Sequence, residues 1–200
     1  MLKTTIQQAK ELNACSEAIA WAESIGLTEG TPVDVIEKGG ELSWAFWLLA
    51  KTGGEAGRRM CVELACDFAD RVLPIFEAKY PDDKRPRTAI ETTRKWLLGE
   101  ATIEEVRLAT YVCASAAYAD TYADAACACA YACAYAGTYA DAACACAYAC
   151  ASACADAAYA GTYACASAGT CASAAYAAER DWQKKHFVDR VLTLLDGEEK

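Results

Sequence analysis

Apolar residues recur every three or four positions along the first 109 residues, the spacing of one face of an α-helix. A short apolar segment, ELSWAFWLLAKTGG, ends in Gly53 and Gly54, and glycine commonly terminates helices. We therefore expect one helix near the start of the chain, closed by Gly26, and a second helix ending near Gly53. The apolar positions that predict the first helix are Ile6, Ala9, Leu12, Ala18, Ile19 and Ala22.

The most regular pattern lies between Glu55 and Lys79, where an apolar stripe faces away from the charged positions. This pattern predicts a long amphipathic helix, and Pro74 inside it predicts a kink. The stripe consists of Cys61, Leu64, Ala65, Phe68, Ala69, Val72, Leu73 and Phe76.

Two further helices are predicted by their end signals. Pro86 suits the first turn of a helix that starts near Arg85, and Gly99 is placed to stop it. Thr102 followed by Glu105 has the spacing of a capping box, which opens the next helix. Residues 1–109 are thus expected to form a helical domain.

Residues 110–178 differ in kind, because they contain no Lys or Arg, ten of the 13 cysteines and ten of the 11 tyrosines. Nearly every second residue is Ala over much of this tract, and the decapeptide DAACACAYAC occurs at 124–133 and again at 141–150. This is an internal repeat of low complexity.

The sequence of the tract is compatible with two backbone conformations. Strict alternation is typical of strands, and stacked strands with an alanine interior would form a β-solenoid. Alanine is the best helix former, however, and tyrosines four apart, such as Tyr131, Tyr135 and Tyr139, share one helix face. We favour helices that fold back on one another in antiparallel fashion, with the solenoid as the alternative.

Residues 179–200 return to ordinary composition and predict a final helix that Gly197 ends. Its apolar stripe is expected to pack on the N-terminal domain, so that the tract is flanked on both sides by one fold. The stripe consists of Phe187, Val188, Val191, Leu192 and Leu195.

Charge and hydropathy narrow the classes of function. The net charge is −9, which argues against nucleic acid as a partner, because a phosphate backbone requires clustered Lys and Arg. The N-terminus lacks the apolar core of a signal peptide, and no strongly apolar stretch of about 18 residues is present. We expect a cytoplasmic protein that does not span a membrane.

The candidate binding residues are aromatic or basic. Trp44 and Trp47 are three apart on one helix face, where a core role competes with ligand binding. Arginines could meet an anionic ligand if the fold clusters them, and the competing interpretation is solvated surface charge. These arginines are Arg58, Arg59, Arg85, Arg87 and Arg94.

The cysteines raise the alternative of metal buffering. Cys127, Cys129 and Cys133 form a C-x-C-x3-C pattern that recurs at 144–150, and thiolates on facing helices can bind Cu(I) or Zn. The same slots also accept Tyr, Ser and Asp, and buried Cys packs well, so we favour structural cysteines and predict no metal and no cofactor. His186 stands outside the tract, and no catalytic motif accompanies it, which argues against an enzyme.

The order of segments outside the repeat resembles a known family. The segments GGELSWAFWLLAKTG, CVELACDFADRVLPIFE and ERDWQKKHFVDRVL surround the most specific one, RPRTAIETTRKWLLGEATIEEVRLA at 85–109. Together they are similar to the Imm-5-like immunity proteins of bacteria and phages, whose members carry a long Ala/Tyr-rich helical tract. The tract departs from the family pattern in its cysteines and its strict alternation.

This resemblance implies a non-enzymatic protein that neutralises a toxin or defence effector by binding it. Acidic charge would help against a basic partner. Three alternatives stay open: Cu(I) or Zn buffering by the cysteines, self-assembly into homo-oligomers through the repeat, and a phage counter-defence protein that sequesters a small signalling molecule.

Overall fold

The computed structural model describes residues 2–117 and 168–198, and these residues form eight helices and a two-stranded sheet. The predicted all-α class is therefore confirmed. The short strands β1 (Thr4–Thr5) and β2 (Glu29–Gly30) pair in antiparallel fashion, with Thr4 opposite Gly30. The helices are α1 (Ile6–Glu11), α2 (Ser16–Ser24), α3 (Pro32–Glu37), α4 (Leu42–Thr52), α5 (Gly54–Lys79), α6 (Arg85–Leu97), α7 (Ile103–Ala117) and α8 (Ala168–Glu198).

The prediction of one continuous helix near the start of the chain is wrong, because two shorter helices, α1 and α2, form a hairpin there. Thr5 opens α1 with a capping box: the Thr5 amide donates to Gln8 Oε1 at 2.9 Å, and the Gln8 amide donates to Thr5 Oγ1. Asn13 then adopts a positive φ of 62°, which a helix does not allow and which Asn tolerates better than most residues. The apolar spacing persists across the break, so periodicity alone did not reveal it.

The small sheet and α3 were not predicted. Thr31 caps α3, because its hydroxyl accepts from the Asp34 amide while the Asp34 carboxylate accepts from the Thr31 amide at 2.8 Å. Pro32 occupies the first turn, where its missing N–H costs nothing. With six residues, α3 is too short to show a periodic pattern.

The turn between α4 and α5 brings two backbones very close together. A Cβ atom at Gly57 would collide with the backbone carbonyl oxygen of Leu49, and a Cβ atom at Gly53 would lie 2.7 Å from the same oxygen. The two helices cross at this point only because these positions lack side chains.

The core is centred on α5, which packs against α4, α6 and α8. The predicted stripe positions of α5 whose side chains the structure describes are all buried core residues, so the amphipathic helix is confirmed. Phe46 of α4 lies between Phe68 of α5, at 6.1 Å between ring centroids, and Phe187 of α8, at 5.0 Å. These ring contacts place α8 against α4 and α5.

The end signals of α6 and α7 are also confirmed. Pro86 lies in the first turn of α6, and Gly99 follows the helix with a φ of 77°. The Thr102 amide donates to the Glu105 carboxylate at 2.7 Å, and the Glu105 amide donates back to the Thr102 hydroxyl at 3.2 Å. At the other end of the chain, α8 runs through Gly197 and ends at Glu198, one residue beyond the predicted stop.

The described helices enter the repeat tract from both sides, since α7 ends at Ala117 and α8 begins at Ala168. Residues 118–167 lie outside the described residues. The features predicted for them therefore also fall outside the described part of the chain: the antiparallel helices, the tyrosines four apart and the C-x-C-x3-C patterns. The solenoid alternative finds no support, because β1 and β2 are the only strands in the part of the chain that the structure describes.

Candidate functional site

An apolar cavity of about 380 Å³ lies between the α1–α2 hairpin and α4. The two short strands and one residue of α3, Val35, complete its wall. Aliphatic and aromatic side chains dominate the wall, so the cavity can hold an apolar group but offers few hydrogen-bonding partners. The main apolar residues of this wall are Ile6, Ile19, Trp21, Leu27, Val35, Trp44, Trp47 and Leu48.

Both candidate tryptophans of α4 belong to this wall. Trp44 contacts Trp21 of α2, with 5.4 Å between the ring centroids and 45° between the ring planes. Trp47 is three positions further along α4, on the same face, and also lines the cavity. Trp21, which the sequence did not single out, thus joins the pair predicted by helical spacing.

The polar groups around the cavity are few. Glu29 is the one charged residue among the described residues that line it, and its carboxylate lies 2.5 Å from Nζ of Lys3. Asn13 and the exposed Cys15 belong to the loop between α1 and α2 and also line the cavity. The cavity therefore combines an apolar interior with a neutralised charge at its edge.

The candidate arginines are not brought together into an anion site. Arg59 donates to the carbonyl oxygen of Leu97 and lies 5.7 Å from the centroid of the Trp96 ring. Arg58 is half-buried on the same helix, α5.

Two of the candidate arginines hold carboxylates near the start of α6. Arg87 Nη2 lies 2.5 Å from Glu77 Oε2, and this hydrogen bond holds the pKa of Glu77 below its ordinary value of 4.5. Arg85 pairs in the same way with Asp83 at 2.6 Å, and the pKa of Asp83 is likewise lowered. Each of these two guanidinium groups is therefore paired with a carboxylate of the protein itself.

Arg94 is the centre of a larger charged network that joins three helices. Its Nη2 atom donates to Asp67 Oδ1 at 2.9 Å and to Asp70 Oδ2 at 2.6 Å, both on α5. Burial works to lower the pKa of Arg94, but the charge of Asp70 and the hydrogen bond to Asp67 outweigh it and raise this pKa. From α8, His186 Nε2 lies 2.8 Å from Asp67 Oδ2, and Arg190 pairs with Glu63.

Aromatic contacts extend this network along α8. The rings of Trp182 and His186 stack at 4.8 Å with 10° between their planes. The Arg71 guanidinium lies 4.3 Å from the centroid of Trp182 and donates to the nearly buried carboxylate of Glu179 at 2.6 Å. These contacts dock α8 on α5, and nothing in the sequence pairs residues so far apart.

Within residues 2–117 and 168–198, no three His, Cys, Asp or Glu side chains are placed to hold a metal ion. The cysteines proposed as alternative ligands, at 127–154, lie outside these ranges. Cys61 and Cys66, both on α5, are buried in the hydrophobic core. None of the described helices combines the length and apolarity needed to cross a membrane.

The described residues form a small all-α protein whose last helix, α8, packs on the central helix, α5, through ion pairs and aromatic contacts. Residues 51–190 match the family model described as "Imm-5 like putative immunity protein". The match covers more than half of the chain, so the chain belongs to this family of Imm-5-like immunity proteins. No curated protein and no solved structure is significantly similar to it.

Proposed function

We propose that this protein is an immunity protein that neutralises a toxin or defence effector by direct contact, without catalysis, in the cytoplasm. Membership of the Imm-5-like family is the observation that carries this proposal. The net charge of −9 supports a basic partner, because complementary charge accelerates association and favours the correct partner.

The segment matched by the family model begins near the end of α4 and contains α5, α6, α7 and most of α8. We therefore place the contact surface on these helices. Large apolar residues that remain exposed commonly mark protein–protein interfaces. The three most exposed of them among the described residues lie close in sequence within the matched segment: Leu98, Leu108 and Tyr111, with exposed fractions of 73%, 65% and 80%.

Leu108 and Tyr111 are three positions apart on α7, so they lie on one face of that helix. Glu104 and Arg107, both exposed, flank them and provide a polar rim. This arrangement of apolar centre and charged surroundings is typical of a binding surface. We propose that Leu108 and Tyr111 contact the toxin.

The experiment is co-expression of the full chain with the toxin encoded beside its gene, read out as growth protection and as the dissociation constant of the purified pair. The double variant Leu108→Asp/Tyr111→Asp should weaken binding by at least about 100-fold, because each interface anchor contributes about 2 kcal/mol or more. Growth protection should fall in parallel.

Ile25→Asp provides the matched control, because Ile25 is an exposed apolar residue outside the matched segment. We expect this variant to bind and protect like the wild type, and circular dichroism should show the same helix content in all three proteins. Unchanged binding by the double variant would contradict the proposed surface. Failure of the wild-type chain to bind or protect would contradict the proposed function itself.

A further inference from the structure

We propose that the cavity between the α1–α2 hairpin and α4 is a binding site for a small, uncharged, aromatic molecule. The site is built from residues 4–48, which precede the segment matched by the family model. This inference goes beyond the proposed toxin neutralisation and does not depend on it.

The first argument is the size and position of the cavity. Protein interiors are close-packed, and voids much larger than a water molecule are few. A volume of about 380 Å³ falls in the range of about 300–1,000 Å³ typical of small-molecule sites. The cavity is thus large enough for a ring system.

The second argument is that most apolar residues of α1 and α2 line the cavity and are not fully buried. Helix α1 has no buried residue, and Ala22 is the only buried one that α2 contributes. A ligand in the cavity would remove this apolar surface from water, which is favourable by about 25 cal/mol per Å². The residues concerned are Ile6, Ala9, Ala18 and Ile19.

The third argument is the aromatic character of the wall. Trp21, Trp44 and Trp47 all line the cavity, and each remains partly exposed. Aromatic rings prefer stacked or edge-to-face neighbours at about 4.5–7 Å between centroids, which favours an aromatic ligand over an aliphatic one.

The fourth argument concerns charge. Glu29, the one charged residue among the described lining residues, is already paired with Lys3. An ionised ligand would lose its hydration in this cavity without gaining a counter-charge, at a large free-energy cost. The polar side chain of Asn13 can satisfy a single polar substituent, so the ligand is neutral and largely apolar.

The test uses the full chain and two dyes that differ by one group. N-phenyl-1-naphthylamine is neutral, and 1-anilinonaphthalene-8-sulfonate is the same ring system with a sulfonate. The fluorescence of both dyes rises when they leave water. We expect the neutral dye to bind saturably, one per chain, and at least about tenfold more tightly than the anionic dye.

Three variants, one of them a control, locate the site. Ala18→Phe fills the cavity from the wall formed by α2 and should weaken binding of the neutral dye by at least about tenfold. Ala78→Phe places the same side chain on an exposed position of α5 and should leave binding unchanged. Trp47→Leu keeps the wall apolar but removes a ring, and it should also weaken binding. Circular dichroism confirms that each variant is folded.

Three results would overturn the proposal: no saturable binding of the neutral dye, equal binding of the sulfonate, or full affinity in Ala18→Phe. If no dye binds while Ala18→Phe abolishes toxin binding, the cavity receives a side chain of the protein partner and the small-molecule proposal fails. The dye assay contains no toxin, so its outcome is separate from that of the neutralisation experiment.

Discussion

Nε2 of His186 lies 2.8 Å from Oδ2 of Asp67, although 119 positions separate the two residues in the chain. This contact connects α8 to α5, and Arg94 of α6 bonds to the other oxygen of the same carboxylate. Asp67 is therefore a single acceptor that three helices share. In the sequence, the repeat tract separates the two parts of the chain that the contact between His186 and Asp67 joins.

The first prediction follows from this shared acceptor. Asp67→Asn removes the negative charge while keeping the size of the side chain, so Arg94 and His186 each lose one charged partner, and Arg94 keeps Asp70. We expect the free energy of unfolding to fall by about 1–2 kcal/mol, since the loss of a partially buried partner is costly and the Arg94 side chain is 43% exposed to screening water. Chemical denaturation measures the change.

Asp181→Asn is the control for this prediction, because Asp181 is an exposed carboxylate of α8. It should change stability by less than about 0.5 kcal/mol. Equal effects of the two substitutions would show that the network contributes no more than ordinary surface charge.

The second prediction concerns the docking of α8. Phe187 is fully buried and packs edge-to-face on Phe46, so Phe187→Ala removes a core ring and leaves a cavity. We expect a loss of about 3–5 kcal/mol in the free energy of unfolding. Leu192→Ala, on the same helix but 43% exposed, should cost less than about 1 kcal/mol. If both variants unfold at the wild-type denaturant concentration, α8 does not dock in this way.

The third prediction tests the close approach of α4 and α5. Gly57→Ala places a methyl group against the Leu49 carbonyl oxygen, which belongs to the backbone and cannot rotate away. We expect destabilisation of about 1–3 kcal/mol, in contrast to the usual benefit of alanine in a helix. Glu55→Ala in the same turn of α5 should be close to neutral. A stabilised Gly57→Ala variant would rule out the crossing.

The fourth prediction concerns acid. The hydrogen bond from Arg87 lowers the pKa of Glu77, so this pair stabilises the fold above the ordinary pKa of 4.5 and loses its contribution as the pH falls through the lower, folded-state pKa. Glu77→Gln should therefore lower stability at pH 7 and flatten its dependence on pH between about 5 and 3. Denaturation at several pH values measures the slope, and Glu17→Gln, an exposed glutamate of α2, should leave it unchanged.

The long amphipathic helices were predictable because burial repeats along them many times. The stripe from Cys61 to Phe76 and the stop at Gly99 are read from local pattern alone, and both are found. The break at Asn13 and the short helix after Thr31 were missed for the opposite reason. They depend on one or two residues whose backbone geometry leaves no periodic trace.

The candidate site was predictable only in part. Trp44 and Trp47 share a face by their spacing, but the spacing does not tell whether that face meets a filled core or a cavity. Trp21 of α2 contacts Trp44 of α4 only because the chain folds back between the two helices, and a local sequence pattern does not encode such a contact. The network around Asp67 was missed entirely, because its members on α5, α6 and α8 become neighbours only when the whole domain is folded.

The position of α8 after the repeat has a consequence for how the gene can change. Repetitive DNA gains and loses units by slippage during replication, and a slip that is not a multiple of three nucleotides alters every codon downstream. Such a slip in the tract would replace Phe187 and His186, leaving the apolar face of α5 uncovered and the chain unable to complete its core. In-frame gain or loss of units preserves both residues. Alleles that keep the reading frame therefore encode a chain that can complete its core, and alleles that lose the frame do not.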